Sequence, residues 1–365
     1  MFSCAEPYTY GLYLSWLTPE LSMAWEGSSY FLVEFFVYCG LFTNFAENME
    51  QRELDILYMQ RCILLARNGR LTAPPNPMVG AVIVSDDGRI IGEGYHVRAG
   101  EGHAEVNAFA SVRPEDEPLL PTSTMYVSLE PCSHYGKTPP CADLIVSKGV
   151  KRVVVGTVDP FAKVQGRGIQ KLLDAGIEVE VGVCEKECQE LNKVFFTFHS
   201  KQRPFITLKW AQTVDGSIGI KPSEDGESRL IISNELTQML CHKRRAEHQA
   251  ILVGNNTWKL DKPSLTVRHW TGRDPRRVVL TGSDSVSGVL ERLFNDGVQS
   301  LLVEGGRQTL QSFIDEGMWD EAFVEIADAE VPKYAEVVKA PLISQYAEMR
   351  TAEFGGHDFI EYRNR

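Results

Sequence analysis

Ser128-Leu-Glu-Pro-Cys-Ser-His-Tyr-Gly-Lys-Thr-Pro-Pro-Cys141, with His103-Ala-Glu105 ahead of it, is the stretch that decides how this chain reads. His103, Cys132 and Cys141 are soft or borderline donors of the kind that suit Zn²⁺. Three protein ligands leave a fourth position for water, which marks a catalytic site. Zinc lowers the pKa of the water it binds toward ~7, so a nucleophile is available at neutral pH. Its natural target is an amidine-like carbon bearing an exocyclic amine. Departing ammonia and the ring nitrogen each need a proton, and Glu105, two residues beyond His103, is close enough to carry them. Two blander readings use the same residues. One is a four-ligand clip with His134 completing the set, and the other is a pair of buried thiols. Neither gives a purpose to Glu105 or to the Pro131-Cys132 turn.

Outward from this stretch, strands alternate with helices. Residues 52–68 carry an apolar helical face, with Leu54, Leu57, Ile63 and Leu64 on it, and stop at Asn68-Gly69. Residues 79–85 read as a buried strand followed by the turn Asp86-Asp87-Gly88. A helix is expected from His103 to Ala110, a strand at 125–129, and a further helix opened by Pro131. Strand, helix and strand follow at 150–156, 169–175 and 177–183. The pattern pauses near His199-Ser-Lys-Gln-Arg-Pro204, where a domain boundary is placed. It resumes with strands at 205–210, 250–254, 277–280 and 300–303. Such alternation implies a layered α/β sheet in each half.

The bulk properties narrow the class. Of 365 residues, 43% are apolar and 24% charged, enough for two domains with real cores. A net charge of -12 argues against a nucleic-acid partner. Eight scattered cysteines suit a reducing cytoplasm. Residues 1–48 contain no Lys or Arg and many aromatics, as in Tyr30-Phe-Leu-Val-Glu-Phe-Phe-Val-Tyr38. They lack the charged start and clean apolar core of a signal peptide, and Glu26 and Glu34 interrupt any membrane span of about 20 residues. They are expected to be either a mis-called start, with Met49 the true first residue, or an extension packed on the body.

His-x-Glu followed by Pro-Cys is the signature of zinc deaminases. The gap of eight residues between Cys132 and Cys141 sets this chain apart from most of them. With Pro75-Asn-Pro-Met-Val-Gly80 and the Gly94-to-Val106 segment, it resembles the deaminase half of the bifunctional riboflavin-biosynthesis deaminase–reductases. Lys209-Trp-Ala-Gln-Thr-Val-Asp-Gly216, Arg245-Ala-Glu247, Asp261-Lys-Pro-Ser-Leu-Thr-Val-Arg268 and Val303-Glu-Gly-Gly306 are similar to the reductase half. The resemblance implies a cytidine-deaminase-like α/β/α domain over 49–200 and a dihydrofolate-reductase-like α/β domain over 203–365. It implies hydrolytic deamination of a diamino-pyrimidinone ribosylamine phosphate, then NADPH-dependent reduction of the ribosyl to a ribityl chain. Zn²⁺ and NADPH are the implied cofactors, with no nucleic acid or membrane involved and room for a homodimer.

Carried over residue by residue, Glu105 is the proton shuttle and His103, Cys132 and Cys141 hold the metal. Asn76, His96, and the loop around His134 and Lys137, line the first substrate pocket. Ser228, Arg245, Leu265, Arg268 and Glu304 fall on substrate positions of the second half. Gln212, Leu230, Thr257, Asp261, Gly306, Arg307, Gln308, Thr309 and Leu310 fall on NADPH positions. Glycines after a buried strand let backbone approach a phosphate, and a helix beginning at Arg307 offers it free N–H groups. Arg245 and Arg268 have the forked donors that suit the substrate phosphate.

The chain departs from the family in two places. Leu230 stands where the family has an aromatic. After Leu280 the chain runs directly toward a helix near Val289, so material for about one strand and one helix, roughly 20–40 residues, is missing. This shortening is expected to leave a reductase half that binds NADPH weakly and reduces poorly. Three alternatives stay open: a deaminase with a degenerate second half, a nucleoside or tRNA base deaminase, and a non-catalytic zinc scaffold. A chain beginning at Met49 is expected to match the full chain in melting temperature and deaminase rate. A loss on the order of 1–2 kcal/mol, read as a melting point several degrees lower, would instead show that the extension packs on the body.

Overall fold

A computed structural model of the chain describes residues 50–135, 139–160, 166–221, 230–331 and 336–365. Helix α1 (Gln51–Arg67) leads into β1 (Gly80–Val84) and β2 (Ile90–Tyr95). Then come α2 (Ala104–Ala110), β3 (Thr124–Val127), α3 (Cys141–Lys148), β4 (Arg152–Val155), α4 (Arg167–Asp174) and β5 (Glu178–Val181). The five strands form one sheet in the order β2-β1-β3-β4-β5. β1 runs antiparallel to β2 and β3, while β3, β4 and β5 are mutually parallel.

Every residue of β1 is buried, as a strand covered on both faces requires. Its side chains alternate between two cores with the period of two that a strand imposes. Ala81 and Ile83 join Met125, Val127, Val153, Val155, Ala104, Ala108 and Ile145 on one face. Val82 and Val84 join Tyr126, Val154, Tyr58, Met59 and Cys62 on the other. The result is the expected α/β/α layering, with α2, α3 and α4 on one side and α1 on the other. α1 is pinned by a buried pair: Arg152 donates both its terminal nitrogens to Asp55 at 2.8 Å, and the Tyr126 hydroxyl donates to the same carboxylate at 2.9 Å.

Helices α5 (Glu185–Leu191) and α6 (Lys193–Lys201) lead to the second half. It contains β6 (Phe205–Thr213), β7 (Ser217–Ile220), α7 (Glu235–Glu247), β8 (Ala250–Gly254), α8 (Asn255–Asp261), β9 (Arg276–Leu280), α9 (Val286–Asn295), β10 (Ser300–Val303) and α10 (Arg307–Asp315). β11 (Glu321–Ala327), β12 (Val337–Lys339), β13 (Glu348–Phe354) and β14 (His357–Arg363) complete it. Seven strands form a mixed sheet in the order β13-β14-β11-β6-β10-β8-β9, and β7 pairs separately with β12. Ile206, Leu208 and Trp210 of β6 face a large core with Val289, Leu293, Leu310 and Phe313. The alternate residues of β6 face the opposite side, toward α7. The two halves meet through ion pairs: Arg70–Glu247 at 3.2 Å, Lys193–Glu321 at 2.5 Å and Arg363–Glu190 at 2.6 Å.

Most sequence-derived elements fall within one or two residues of the observed ones. The expected helix at Pro131 does not form. Pro131 lies in an extended turn, and the helix starts after Pro140, because Cys132 must turn back toward His103. After Leu280 a short turn leads to α9, and β9 is an edge strand that pairs, among the described residues, with β8 alone. Arg276 and Arg277 lie exposed on that edge, and charge of this kind discourages a further strand from pairing.

α1 and β1 approach at Gly80, where a Cβ would lie 2.0 Å from the Cys62 carbonyl oxygen. Gly80→Ala must therefore push α1 off the sheet. We expect a loss of about 1–3 kcal/mol, measured by calorimetric melting. An unchanged melt would contradict this packing.

Candidate functional site

Two helices open on one spot. His103 is the N-cap of α2 and Cys141 is the first residue of α3. Cys132 reaches them from the turn after β3. The Ala142 N–H donates to the Cys132 carbonyl at 3.1 Å, and the Cys141 N–H donates to Cys132 Sγ at 3.2 Å. His103 Nδ1 stands 3.6 Å from Cys132 Sγ and 3.3 Å from Cys141 Sγ, and the three donor atoms lie within 4.8 Å of one another. Tetrahedral zinc, with Zn–S near 2.3 Å and Zn–N near 2.0 Å, requires an S···N spacing of about 3.5 Å. The donor set therefore fits zinc in identity and in spacing. His134 is exposed and outside this group, so the four-ligand clip is not formed among the described residues.

The electrostatics of the group are uneven. The Cys132 thiol is pulled down, first by its hydrogen bond with Cys141 and further by His103, against the effect of burial. Cys141, on the other side of that bond and buried, is pushed up. Cys132 is thus the first thiolate, and a divalent cation would bring the second down as well. His103 is raised by its bond with Cys132. Glu105, only 3% exposed in the first turn of α2, has its carboxyl pushed up by burial. It hydrogen-bonds Cys141, so it sits beside the donor atoms without being one of them. A carboxyl raised in this way is suited to take and return a proton near neutrality.

Asn76 and His96 are brought to the same place. The His96 ring stacks edge-on to His103, with centroids 5.4 Å apart. Its Nδ1 lies 3.0 Å from the Gly102 carbonyl and its Nε2 lies 3.1 Å from Asn76 Nδ2. One tautomer satisfies both contacts: Nδ1–H donates to Gly102, and Nε2 accepts from Asn76. Burial lowers the pKa of His96, which favours that neutral form.

The second half gathers a separate group. Glu304, after β10, accepts from Arg245 of α7 at 3.0 and 2.6 Å. Arg245 also donates to the Thr266 carbonyl at 3.2 Å, which ties in the segment holding Leu265 and Arg268. The Arg245 fork is therefore engaged with Glu304, while Arg268 is exposed and donates to Thr266 Oγ1 at 3.1 Å. Leu265 is 2% exposed and holds a left-handed φ of 54°. Gly306 is the N-cap of α10, and a Cβ on it would lie 3.5 Å from Thr257 Oγ1, so those two positions adjoin. Arg307, Gln308 and Thr309 form the first turn, whose N–H groups an α-helix leaves without partners. Leu310 differs: its side chain is fully buried in the core and its N–H donates to Gly306 at 3.1 Å. Gln212 accepts from the Trp210 indole at 2.8 Å, and Asp261 ends α8. Leu230 is half-buried, and Ser228 and Lys137 lie outside the described residues.

Sequence reasoning assigned no role to Glu130, Lys209 or His242. Burial pushes the Lys209 ammonium down, but Cys241, Glu304 and Glu325 together raise it. His242 accepts from the Arg268 N–H at 2.9 Å, and its pKa falls to about 4 through burial and neighbouring arginines. Glu130 and Lys209 both stand inside quoted motifs, so the signal was present but carried no chemistry by itself.

Comparison with known proteins gives a consistent picture. The model of the cytidine and deoxycytidylate deaminase zinc-binding region matches residues 52–157, and that of the RibD C-terminal domain matches 204–287. The riboflavin biosynthesis protein RibD of Aquifex aeolicus is 40% identical over 320 residues, covering 76% of this chain and 87% of the relative. RibD of Escherichia coli is 43% identical over 229 residues, 62% of this chain and 59% of the relative. Among solved structures, the deaminase/reductase of Thermotoga maritima superposes with a TM-score of 0.75 at 34% identity. Acinetobacter baumannii RibD gives 0.76 at 30%. Each match covers 87% of this chain and all of the other.

We expect about one zinc per purified chain. Cys132→Ser should lose most of it on dialysis, as measured by elemental analysis. Metal retained at the parent level would contradict the ligand set.

Proposed function

This chain belongs to the RibD family of riboflavin-biosynthesis deaminase–reductases, and from that premise we propose a zinc-dependent deamination followed by an NADPH-dependent reduction. The observation that carries the reading is the convergence of His103, Cys132 and Cys141 on one point beside the buried Glu105. The substrate is a diamino-pyrimidinone ribosylamine phosphate. Those three residues would hold a zinc ion, which would supply a water activated for attack on the ring carbon. The remaining work falls to the chain. Glu105 takes a proton from the attacking water and delivers it to the ring nitrogen, then takes the remaining proton of the added hydroxyl and hands it to departing ammonia. Asn76 and His96, locked together and to Gly102, form a fixed polar wall for the ring.

In the second half, Glu304 neutralises Arg245 and holds it against the 264–268 segment, which leaves Arg268 as the exposed fork for the substrate phosphate. Leu265, with Ser228, completes the substrate side. The first turn of α10, with Gly306 and Thr257, offers N–H and hydroxyl donors to the phosphates of NADPH. Gln212, Leu230 and Asp261 flank the cofactor. NADPH, when bound, would supply the hydride to the ribosyl C1' carbon, with a proton completing the open ribityl chain. These pieces stand on β6, β8 and β10 and the segments that follow them, and the proposed shortening falls in the chain after β9. The shortening is therefore expected to weaken cofactor binding, with hydride transfer slowed wherever the two ligands sit about 1 Å out of place.

Two outcomes follow. Glu105→Ala should keep its zinc and lose deamination by roughly 100-fold or more, because only the proton shuttle is removed. Full activity in that variant would sink the mechanism. With the deaminated intermediate supplied directly, NADPH oxidation should show a raised KM and a turnover below ~1 s⁻¹. Turnover above that at low cofactor would mean that the shortened sheet still aligns both ligands.

A further inference from the structure

Glu130 is 4% exposed and directly precedes Pro131-Cys132, and it is not one of the three donor residues. Its carboxylate is surrounded by backbone donors. Oε2 accepts from the Gly166 N–H at 2.9 Å and from the Asp159 N–H at 3.2 Å. Oε1 accepts from the Gly168 N–H at 2.9 Å and from the Ile169 N–H at 3.5 Å. Its own N–H donates to the Thr157 carbonyl at 2.9 Å. One side chain thus closes the orphan donors at the start of α4 and ties the chain after β4 to the same point. The contact is reinforced from the opposite side. A Cβ on Gly168 would lie 1.9 Å from the Pro131 carbonyl oxygen, so the first turn of α4 rests directly on the residue before Cys132.

Among the described residues the Cys132 thiol meets the Cys141 N–H and His103 Nδ1, and its carbonyl accepts from the Ala142 N–H. These contacts hold the residue from the α2 and α3 side, and the backbone that carries it needs a hold of its own on the α4 side. We infer that Glu130 is a positioning residue for the metal centre: by binding the start of α4, it clamps the Pro131-Cys132 turn where Cys132 meets His103 and Cys141. The inference rests on the zinc reading above. Gln at this position offers one acceptor and two donors to a ring of donors, so the clamp opens although the size is kept. Gly168→Ala keeps the Glu130 side chain but sets a methyl 1.9 Å from the Pro131 carbonyl oxygen and 3.3 Å from Glu130 Oε1, so α4 must shift and the same clamp opens by a different substitution.

Zinc affinity of the full chain is measured by competition with a chromophoric chelator, with near-UV circular dichroism on the same samples reporting the fold. The expected result for Glu130→Gln and Gly168→Ala is a 10–100-fold weaker zinc affinity with a native-like spectrum, the range in which outer-shell groups act on a metal. A group serving only general stability would lower the melting temperature and leave the affinity of the folded protein alone. Affinities within about twofold of the parent in both variants overturn the inference. If Glu130→Gln loses its native spectrum, Gly168→Ala decides by the same criterion. A parent chain that takes up no zinc overturns the functional reading itself, and is told apart because it fails before any substitution is made.

Discussion

The structure of the first half is governed by one requirement: three donor atoms from separate segments must converge within 4.8 Å while still anionic or neutral enough to bind a cation. Two helices meet that requirement by starting at the ligands, so their positive ends face the thiolates. Much else follows. α2 and α3 must lie on the same face of the sheet, and the wholly buried β1 with the largely buried β3 and β4 gives them a common platform. The turn after β3 must stay extended, which is why Pro131 opens no helix. Glu105 is then buried by position, and burial is what raises its carboxyl.

The second half obeys a different rule. Along β6, Ile206, Leu208 and Trp210 face a large apolar core, while Lys209 points to a charged group on the other side, next to a small apolar cluster of Ile251, Val253, Leu265 and Leu302. Lys209, Glu304, Glu325 and Arg245 are tolerated there because each meets an opposite charge or a hydrogen-bond donor. Glu325 accepts from Ser233 at 2.6 Å and His357 at 2.7 Å, and Glu304 from Arg245. Stripping one member from such a set leaves an uncompensated buried charge. Preorganised charge of this kind also suits a site that must hold a phosphorylated, polar substrate.

The sequence made some parts of this plain and hid others. β1, β8 and β10 were readable because short apolar runs flanked by turns fit a strand buried on both faces. The metal ligands were readable because their chemistry and spacing are rare. β13 was not readable: Glu348-Met-Arg-Thr-Ala-Glu-Phe354 is mostly exposed, with no clean alternation, and becomes a strand only because β14 offers it a full ladder of partners. The engagement of Arg245 by Glu304 was invisible too, since the two lie 59 residues apart and neither type announces its partner. Glu130 was in view within its motif, but its role depends on four backbone donors that only the folded chain assembles.

The central claim is that one chain carries out both reactions in order. Its most direct test is to incubate the purified protein with the diamino-pyrimidinone ribosylamine phosphate, with and without NADPH, and to identify the products by mass spectrometry. The account predicts a product without NADPH in which one amino group has been exchanged for oxygen, and a second product with NADPH that carries two further hydrogens. Unchanged starting material in both samples would contradict it.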